Sequence, residues 1–258
     1  MAKSILELFR LKGQTALIVG GNRGLGLTMA LALAEAGANI SIAARDEEKN
    51  REAETVVRDS WSAQTLSVPC DVCSEASVRA AVAATVEKFG KIDILINSAG
   101  INIRGPIEKL SLEEFNKVQQ VNVTGAWLVA REVVPVMKSN GYGRIINIGS
   151  MLSVIAIPER TPYATSKGAI LQLTRALAME LAPEQITANA LLPGPFATEM
   201  NLPLSQDPEK YQAFISKVPM GRWGELHEIG GIVLYLASPA SSYTTGACFA
   251  IDGGWTTQ

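Results

Sequence analysis

Ala16-Leu17-Ile18-Val19-Gly20-Gly21-Asn22-Arg23-Gly24-Leu25-Gly26 decides the fold. Four apolar residues read as a buried strand, the glycines turn the chain sharply, and a helical pattern follows over residues 24–36. The same alternation continues along the chain. Strand-like runs recur at Thr15–Val19, Asn39–Ala43, Thr65–Cys70, Ile92–Asn97, Arg144–Ile148, Thr187–Leu192 and Cys248–Ile251. Helical patterns fall near 24–36, 46–60, 74–89, 111–138, 161–182 and 225–237. Short apolar strands separated by helices predict an α/β fold with a doubly wound parallel sheet and helices on both faces.

The chain has 258 residues, 47% hydrophobic and 19% charged, enough for a large core in one α/β domain. No repeat, low-complexity stretch or Pro/Gly/Ser-rich linker divides it, so 1–258 is read as one domain. One segment breaks the rhythm. Residues 193–220 carry prolines at 193, 195, 203, 208 and 219 and follow a strand, where open α/β sheets bind ligands. They are read as a substrate loop; a solvated connector with a short helix is the plainer alternative.

Net charge is −2 with no basic block, which argues against nucleic acid and anionic membrane as partners. No apolar run is long enough to span a bilayer, and the opening residues, interrupted by Glu7 and Arg10, lack the apolar core of a signal peptide. Three cysteines fit a reducing compartment, so a cytoplasmic protein is expected. Cys70-Asp-Val-Cys73 has a CxxC spacing, but His227 is the chain's one histidine, and no metal site is expected.

The glycine loop can admit a pyrophosphate to the backbone. Gly20, Gly24 and Gly26 supply conformational freedom, and the helix beginning near Gly24 offers unpaired N–H groups and a positive dipole end. The spacing G-x3-G-x-G differs from the general G-x-G-x-x-G fingerprint and is weak evidence by itself. The second strand ends Ala43-Ala44-Arg45, where an NAD site usually has an acid for the ribose hydroxyls. A guanidinium suits a 2′-phosphate, and Arg23 adds a second charge, so NADP(H) is favoured over NAD(H). The plainer alternative is a solvated Arg45 neutralised by Asp46 and Glu47. Asp71 closes the third strand and can accept from an adenine amino group. Asn97-Ser98-Ala99-Gly100 closes the fourth with small residues that let the backbone run along a cofactor.

Tyr163-Ala-Thr-Ser-Lys167 places a phenol and an ammonium one helical turn apart on one face, behind Thr161 as N-cap and Pro162 as first helical residue. A free phenol has a pKa of about 10, too high for a base at neutral pH. A nearby ammonium and the helix N-terminus favour the phenolate, making Tyr163 a usable proton donor or acceptor. Ser150, thirteen residues upstream, can hold a substrate oxygen against it. Asn122 sits inside a helical pattern and can hold a water that relays protons toward Lys167. A Tyr-x-x-x-Lys pair occurs by chance in many helices; the information lies in its joint occurrence with the serine and the glycine loop.

In order and spacing these pieces resemble the classical short-chain dehydrogenases/reductases over nearly the whole chain. Further matches are Pro193-Gly194 and Asp252-Gly-Gly-Trp255. The resemblance implies a single-domain Rossmann fold with seven parallel strands and a homotetramer. It makes 1–150 mainly cofactor-binding and 151–258 mainly catalytic. Asn122, Ser150, Tyr163 and Lys167 become the catalytic tetrad. The cofactor set comprises Gly20, Asn22, Arg23, Gly24, Leu25, Gly26, Arg45, Asp71, Val72, Asn97, Ala99, Gly100, Tyr163, Lys167, Pro193, Gly194 and Thr198. One departure is Val19, where the family usually has threonine to pin the loop.

The stretches Phe9–Gly13, Ala99–Arg104, Ile145–Ser150 and Pro193–Met200 are similar to gluconate 5-dehydrogenases, which interconvert gluconate and 5-ketogluconate with NADP(H). Arg104, beyond the fourth strand, suits a substrate carboxylate, with Ser150 and Tyr163 completing the substrate contacts. Glu159 and Arg160 can bind hydroxyls or stay solvated. The rival within the class is a 3-oxoacyl carrier-protein reductase, which needs a basic docking surface; Arg131 and Lys138 supply little. A non-catalytic NADP-binding redox sensor is the rival outside it.

Overall fold

Leu17 and Val19 point to one face of the first strand, Ala16 and Ile18 to the other, and all four are buried. That double burial organises the computed structural model, which describes residues 4–198 and 208–257. Seven strands form one sheet: β1 Thr15–Val19, β2 Asn39–Ala44, β3 Thr65–Pro69, β4 Ile94–Asn97, β5 Gly143–Ile148, β6 Ile186–Pro193 and β7 Cys248–Ile251. Their order is β3-β2-β1-β4-β5-β6-β7, and every neighbouring pair is parallel. The sequence-based strands match these to within two residues at each end.

The helices are α1 Gly24–Glu35, α2 Glu47–Trp61, α3 Glu75–Phe89, α4 Leu112–Gln119, α5 Gly125–Asn140, α6 Thr161–Leu181, α7 Pro208–Ile215 and α8 Gly230–Ala237. Met29 and Leu33 of α1, Val57 of α2 and Val233 and Leu236 of α8 pack on Ile18, Ile40, Ile42 and Ile96. On the opposite face Val78 and Val82 of α3, Val133 and Met137 of α5 and Leu181 of α6 pack on Leu17, Val19, Leu95 and Ile145. Strand alternation thus splits one apolar run between two cores.

The helix expected over 111–138 is divided. A π-helical turn, Gln120–Thr124, separates α4 from α5 and contains Asn122. Such turns insert an extra residue that hydrophobic periodicity does not register, and they recur at functional sites. The segment 193–220 contains α7, a short helix; its residues 199–207 lie outside the described set.

Register places the site. Val19 lies opposite both Ala43 and Asn97, so the loops after β1, β2 and β4 leave the sheet at one level. The chain order reverses between β1 and β4, which opens a crevice at their carboxyl ends. Asn50 of α2 ties the nearby edge together: its Nδ2 donates to Ala44 O at 2.8 Å and Val68 O at 3.0 Å. Asn50→Ala should cost about 1–3 kcal/mol, because both carbonyls lose a buried donor. Urea unfolding monitored by circular dichroism measures this; an unchanged midpoint would refute it.

Candidate active site

The crevice is a cleft of about 450 Å³ that runs from Arg45 and Lys49 at its outer end past Gly20 to Gly100 and Ile101. Gly20 has φ +80°, a left-handed conformation, and a Cβ there would lie 2.6 Å from Ala99 N. A Cβ on Gly26 would collide with Gly20 O. Only glycines allow β1, the turn and α1 to pack this closely while leaving backbone facing the cleft. Gly20 N donates to Ala43 O at 2.7 Å, and Asn22 Nδ2 donates to Asn50 Oδ1 at 2.9 Å. The loop is therefore pinned to β2 and α2 without the hydroxyl that Val19 lacks.

The outer end is cationic. Arg23, Arg45 and Lys49 line it together with Asp46 and Asp71. Asp46 is engaged as the N-cap of α2, accepting from Lys49 N at 3.1 Å, and Glu47 pairs with Arg51 at 3.7 Å. Among the described residues neither acid forms an ion pair with Arg45. Asp71 Oδ1 accepts from Cys73 N at 3.0 Å. A glycine cradle with cations beyond it fits the phosphates and ribose of a nicotinamide dinucleotide.

Gly20, Asn22, Arg23, Arg45, Asp71, Val72, Ala99 and Gly100 all line this cleft. Gly24, Leu25 and Gly26 lie just behind it at the start of α1, with Leu25 packed on the core. Thr198 reaches the same place from the far side: its Cγ2 is 3.7 Å from where a Gly24 Cβ would be. Pro193 closes β6 and Gly194 follows it, its N donating to Ile251 O at 2.9 Å. Gly194 packs on Asp252, whose carboxylate is taken up by Gly254 N and Thr256. Asn97 turns its side chain away. Its Nδ2 donates to Asn147 Oδ1 at 2.9 Å, and Asn147 Nδ2 donates to Thr174 Oγ1 at 2.9 Å.

At the inner end Ser150, Tyr163, Lys167 and Asn122 come together. Ser150 hydrogen-bonds the Tyr163 side chain. Lys167 Nζ donates to Ile148 O at 2.7 Å and lies 5.5 Å from the Tyr163 ring centroid. A Cβ on Gly100 would come within 3.3 Å of Asn122 Oδ1 and 3.7 Å of Lys167 Nζ, so the cleft floor reaches the tetrad directly. Asn122 Oδ1 accepts from Ile101 N at 2.8 Å, and its Nδ2 donates to Ile101 O at 3.0 Å and Ser166 Oγ at 2.9 Å. Both amide protons are thus committed to bracing the β4 loop against α6. For a relay water the Asn122 side chain keeps one lone pair on Oδ1.

Burial pushes the Tyr163 phenol up, and the Ser150 hydrogen bond and the positive charge of Arg104 pull it back. Burial also pushes Lys167 down, to about 8. Ser150 and Arg104 therefore offset part of a desolvation that disfavours the charged forms of both Tyr163 and Lys167. The helix start differs from the sequence expectation. Arg160 is the N-cap residue of α6, Thr161 is the first helical residue, and no side chain caps the helix.

Sequence reading missed several supporting groups. Lys49 lines the cleft four residues beyond Arg45, a spacing that puts both near the start of α2. Ser153 Oγ accepts from Ser150 N at 3.1 Å and donates to Lys167 O at 2.8 Å, linking the two catalytic segments. Ser166 donates to Tyr163 O at 2.7 Å. Their signal is small polar residues at buried or half-buried positions beside the motif. Among the described residues no cluster of three or more His, Cys, Asp or Glu can hold a metal, and no helix is long and apolar enough to cross a membrane.

A family profile described as "Enoyl-(Acyl carrier protein) reductase" matches residues 19–256. The gluconate 5-dehydrogenase of Gluconobacter oxydans is 37% identical over 97% of this chain and 97% of its own. The rhamnolipids biosynthesis 3-oxoacyl-[acyl-carrier-protein] reductase of Pseudomonas aeruginosa is 37% identical over 96% and 98%. The crystal structure of a gluconate 5-dehydrogenase from Burkholderia cenocepacia, in complex with NADP and tartrate, superposes with a TM-score of 0.95. It is 40% identical and covers 99% of this chain and 100% of that one. With the seven-stranded sheet, the glycine cradle and the Ser-Tyr-Lys cluster, these matches place the chain in the short-chain dehydrogenase/reductase family, oxidoreductases that act on alcohols.

Proposed function

We propose that the protein interconverts a secondary alcohol and a ketone with NADP(H), with gluconate and 5-ketogluconate as the favoured pair. The observation that carries the substrate reading is Arg104, a cation near enough to Tyr163 to act on its titration. A carboxylate bound by Arg104 would lie beside the reacting carbon. A solved relative that holds both NADP and tartrate, a hydroxy acid, supports the same reading. Arg45 and Lys49 at the cleft's outer end support the 2′-phosphate.

When bound, the nicotinamide supplies hydride to the carbonyl carbon or accepts it from the carbinol. Ser150 donates to the substrate oxygen and holds it against Tyr163. In reduction Tyr163 gives its proton to that oxygen; in oxidation it removes the hydroxyl proton. Its raised pKa keeps it protonated at neutral pH, the form reduction needs. Lys167 supplies a positive charge below the ring and is fixed by Ile148 O. Asn122 holds the β4 loop and α6 at the spacing the transfer requires. Exposed apolar residues Leu112, Trp127 and Met179 support the homotetramer. The cytoplasm remains the proposed location. The functional division is that 1–150 mainly binds cofactor and 151–258 mainly handles substrate.

The 3-oxoacyl carrier-protein rival has less support. Arg131 is engaged by Glu75 and Glu132, and Lys138 pairs with Glu184 at 3.3 Å. A carrier's acidic surface would have to displace those carboxylates. Initial rates on 5-ketogluconate and an acetoacetyl thioester, each with NADPH and NADH, test the proposal. Faster turnover of the thioester would overturn it.

Tyr163→Phe is expected to lose on the order of 10³-fold in turnover, within the range for a positioned acid–base group, with NADPH binding kept. Stopped-flow rates with fluorescence titration of NADPH check this; turnover within tenfold of the parent would sink the role. Arg45→Ala should weaken NADPH binding and leave NADH nearly unchanged, measured as dissociation constants. Equal losses would refute the 2′-phosphate contact.

Lys167 has a folded pKa of about 8, below its unfolded value of 10.5. Between those values the unfolded chain binds more protons, so stability rises with pH. The cost of burying the ammonium, on the order of 3 kcal/mol, is fully present below pH 8 and relieved toward pH 10.5. Lys167→Met should therefore be inactive yet melt higher at pH 7, with the gap narrowing as pH rises to 9.5. Differential scanning calorimetry without cofactor measures it, and a gap independent of pH would refute it.

A further inference from the structure

Arg104 and Arg160 lie on two loops that a backbone hydrogen bond joins beside the start of the Tyr163 helix. Arg104 follows β4, and Arg160 is the last residue before α6. The carbonyl of Glu159 fastens the two loops together. It accepts from Gly105 N at 3.2 Å and from Arg160 Nη1 at 2.9 Å. Glu159 takes this position with φ +62°, a left-handed conformation that is unfavourable for a residue with a side chain. Strain of this kind persists where surrounding structure over-determines it, and such places cluster at ligand clamps.

Arg160 is held below the usual guanidinium range by its partial burial and by the nearby charge of Arg104. Among the described residues no ion pair to either is formed. The titratable groups beside them among the described residues are Tyr163, which feels Arg104, and Glu159, whose exposed carboxylate acts on Arg160 without pairing. A half-buried guanidinium beside an exposed one, with no acid paired to either among the described residues, forms a site that an anion completes.

We propose that Arg160 is a specificity-determining residue, the second half of a two-arginine clamp that binds the carboxylate of the substrate with Arg104. The strap through Glu159 O sets the spacing of the clamp and hence how far the carboxylate lies from the reacting carbon. Substrates with an acid group gain this contact in both ground and transition states, so it acts on KM. The inference rests on the proposed alcohol–ketone chemistry for the place of the substrate but not for its identity.

The matched pair for the test is 5-ketogluconate and L-sorbose, the same carbon chain with a primary alcohol in place of the carboxylate. Arg160→Gln should raise KM for 5-ketogluconate at least tenfold, keep kcat within threefold, and leave L-sorbose kinetics unchanged. Arg160→Lys, which keeps the charge and loses the planar fork, should fall between. A merely structural Arg160 would move kcat, or both substrates alike, and that result overturns the clamp. Calorimetric binding of gluconate and of tartrate to the NADP-loaded protein gives a second reading without turnover. If 5-ketogluconate is not reduced but both acids bind and Arg160→Gln weakens them at least tenfold, the substrate assignment fails and the clamp stands. If neither acid binds the parent protein, or both bind the variant equally well, the clamp is wrong.

Discussion

A chain of buried hydrogen bonds couples the two ends of the cleft. Asn97 of β4 donates to Asn147 of β5, and Asn147 donates to Thr174 of α6, which donates to Ile170 O. All three polar side chains are nearly or fully buried. In a low-dielectric interior each bond is strong and each unmade bond costly, so the chain admits one register. Asn97 leads into the Ser98–Ile101 loop along the cleft, Asn147 lies on β5 three residues before Ser150, and Thr174 lies two turns beyond Lys167. Fixing these three positions fixes the cofactor cradle relative to the Ser-Tyr-Lys cluster. An apolar substitute would pack the same space without specifying the offset between strands and helix.

The same economy recurs nearer the chemistry. Asn122 uses one side chain to hold Ile101 by both backbone groups and to reach Ser166. Ser153 links Ser150 to Lys167 through a single hydroxyl. These bonds are local in space but distant in sequence, and they brace two loops and a helix that hydrophobic packing alone would leave free to slide. The cost is carried by Lys167. Its ammonium is buried with one carbonyl as its hydrogen-bond acceptor, a poor arrangement for stability and a suitable one for acting on a phenol.

Much of this was legible in the chain, for identifiable reasons. Strands buried on both faces leave uninterrupted apolar runs, so all seven were found. Glycines at Gly20 and Gly26 are required by contacts no other residue could survive, so they mark the turn. Tyr163 and Lys167 announce themselves by helical spacing. What was not legible depends on tertiary partners. The π turn at Gln120–Thr124 leaves amphipathic periodicity intact on either side and is invisible to it. The partner of the Asn97 side chain, Asn147, lies fifty residues away and is equally invisible. Thr161 has the better side chain for an N-cap, yet Arg160 takes that position because the 159–160 turn is tied to Gly105. Lys49 and Ser153 lie outside the recognised motifs.

Charge placement joins these strands of argument. The chain is acidic overall, with a formal net charge of −2, so cations concentrated along one cleft are a local arrangement. Carboxylates near those cations are engaged by backbone: Asp46 caps α2, and Asp71 accepts from Cys73 N. Elsewhere acids are spent on surface cations, as with Glu228 and Arg222. At the inner end Arg104 and Lys167 lie near a half-buried phenol whose anion burial disfavours. A negative group entering between the arginines would weaken the pull that Arg104 exerts on Tyr163 and raise its pKa further. An acid substrate would thereby favour the protonated tyrosine. In the proposed mechanism that is the form that donates to a ketone, so binding an anion and preparing the proton for reduction become the same event.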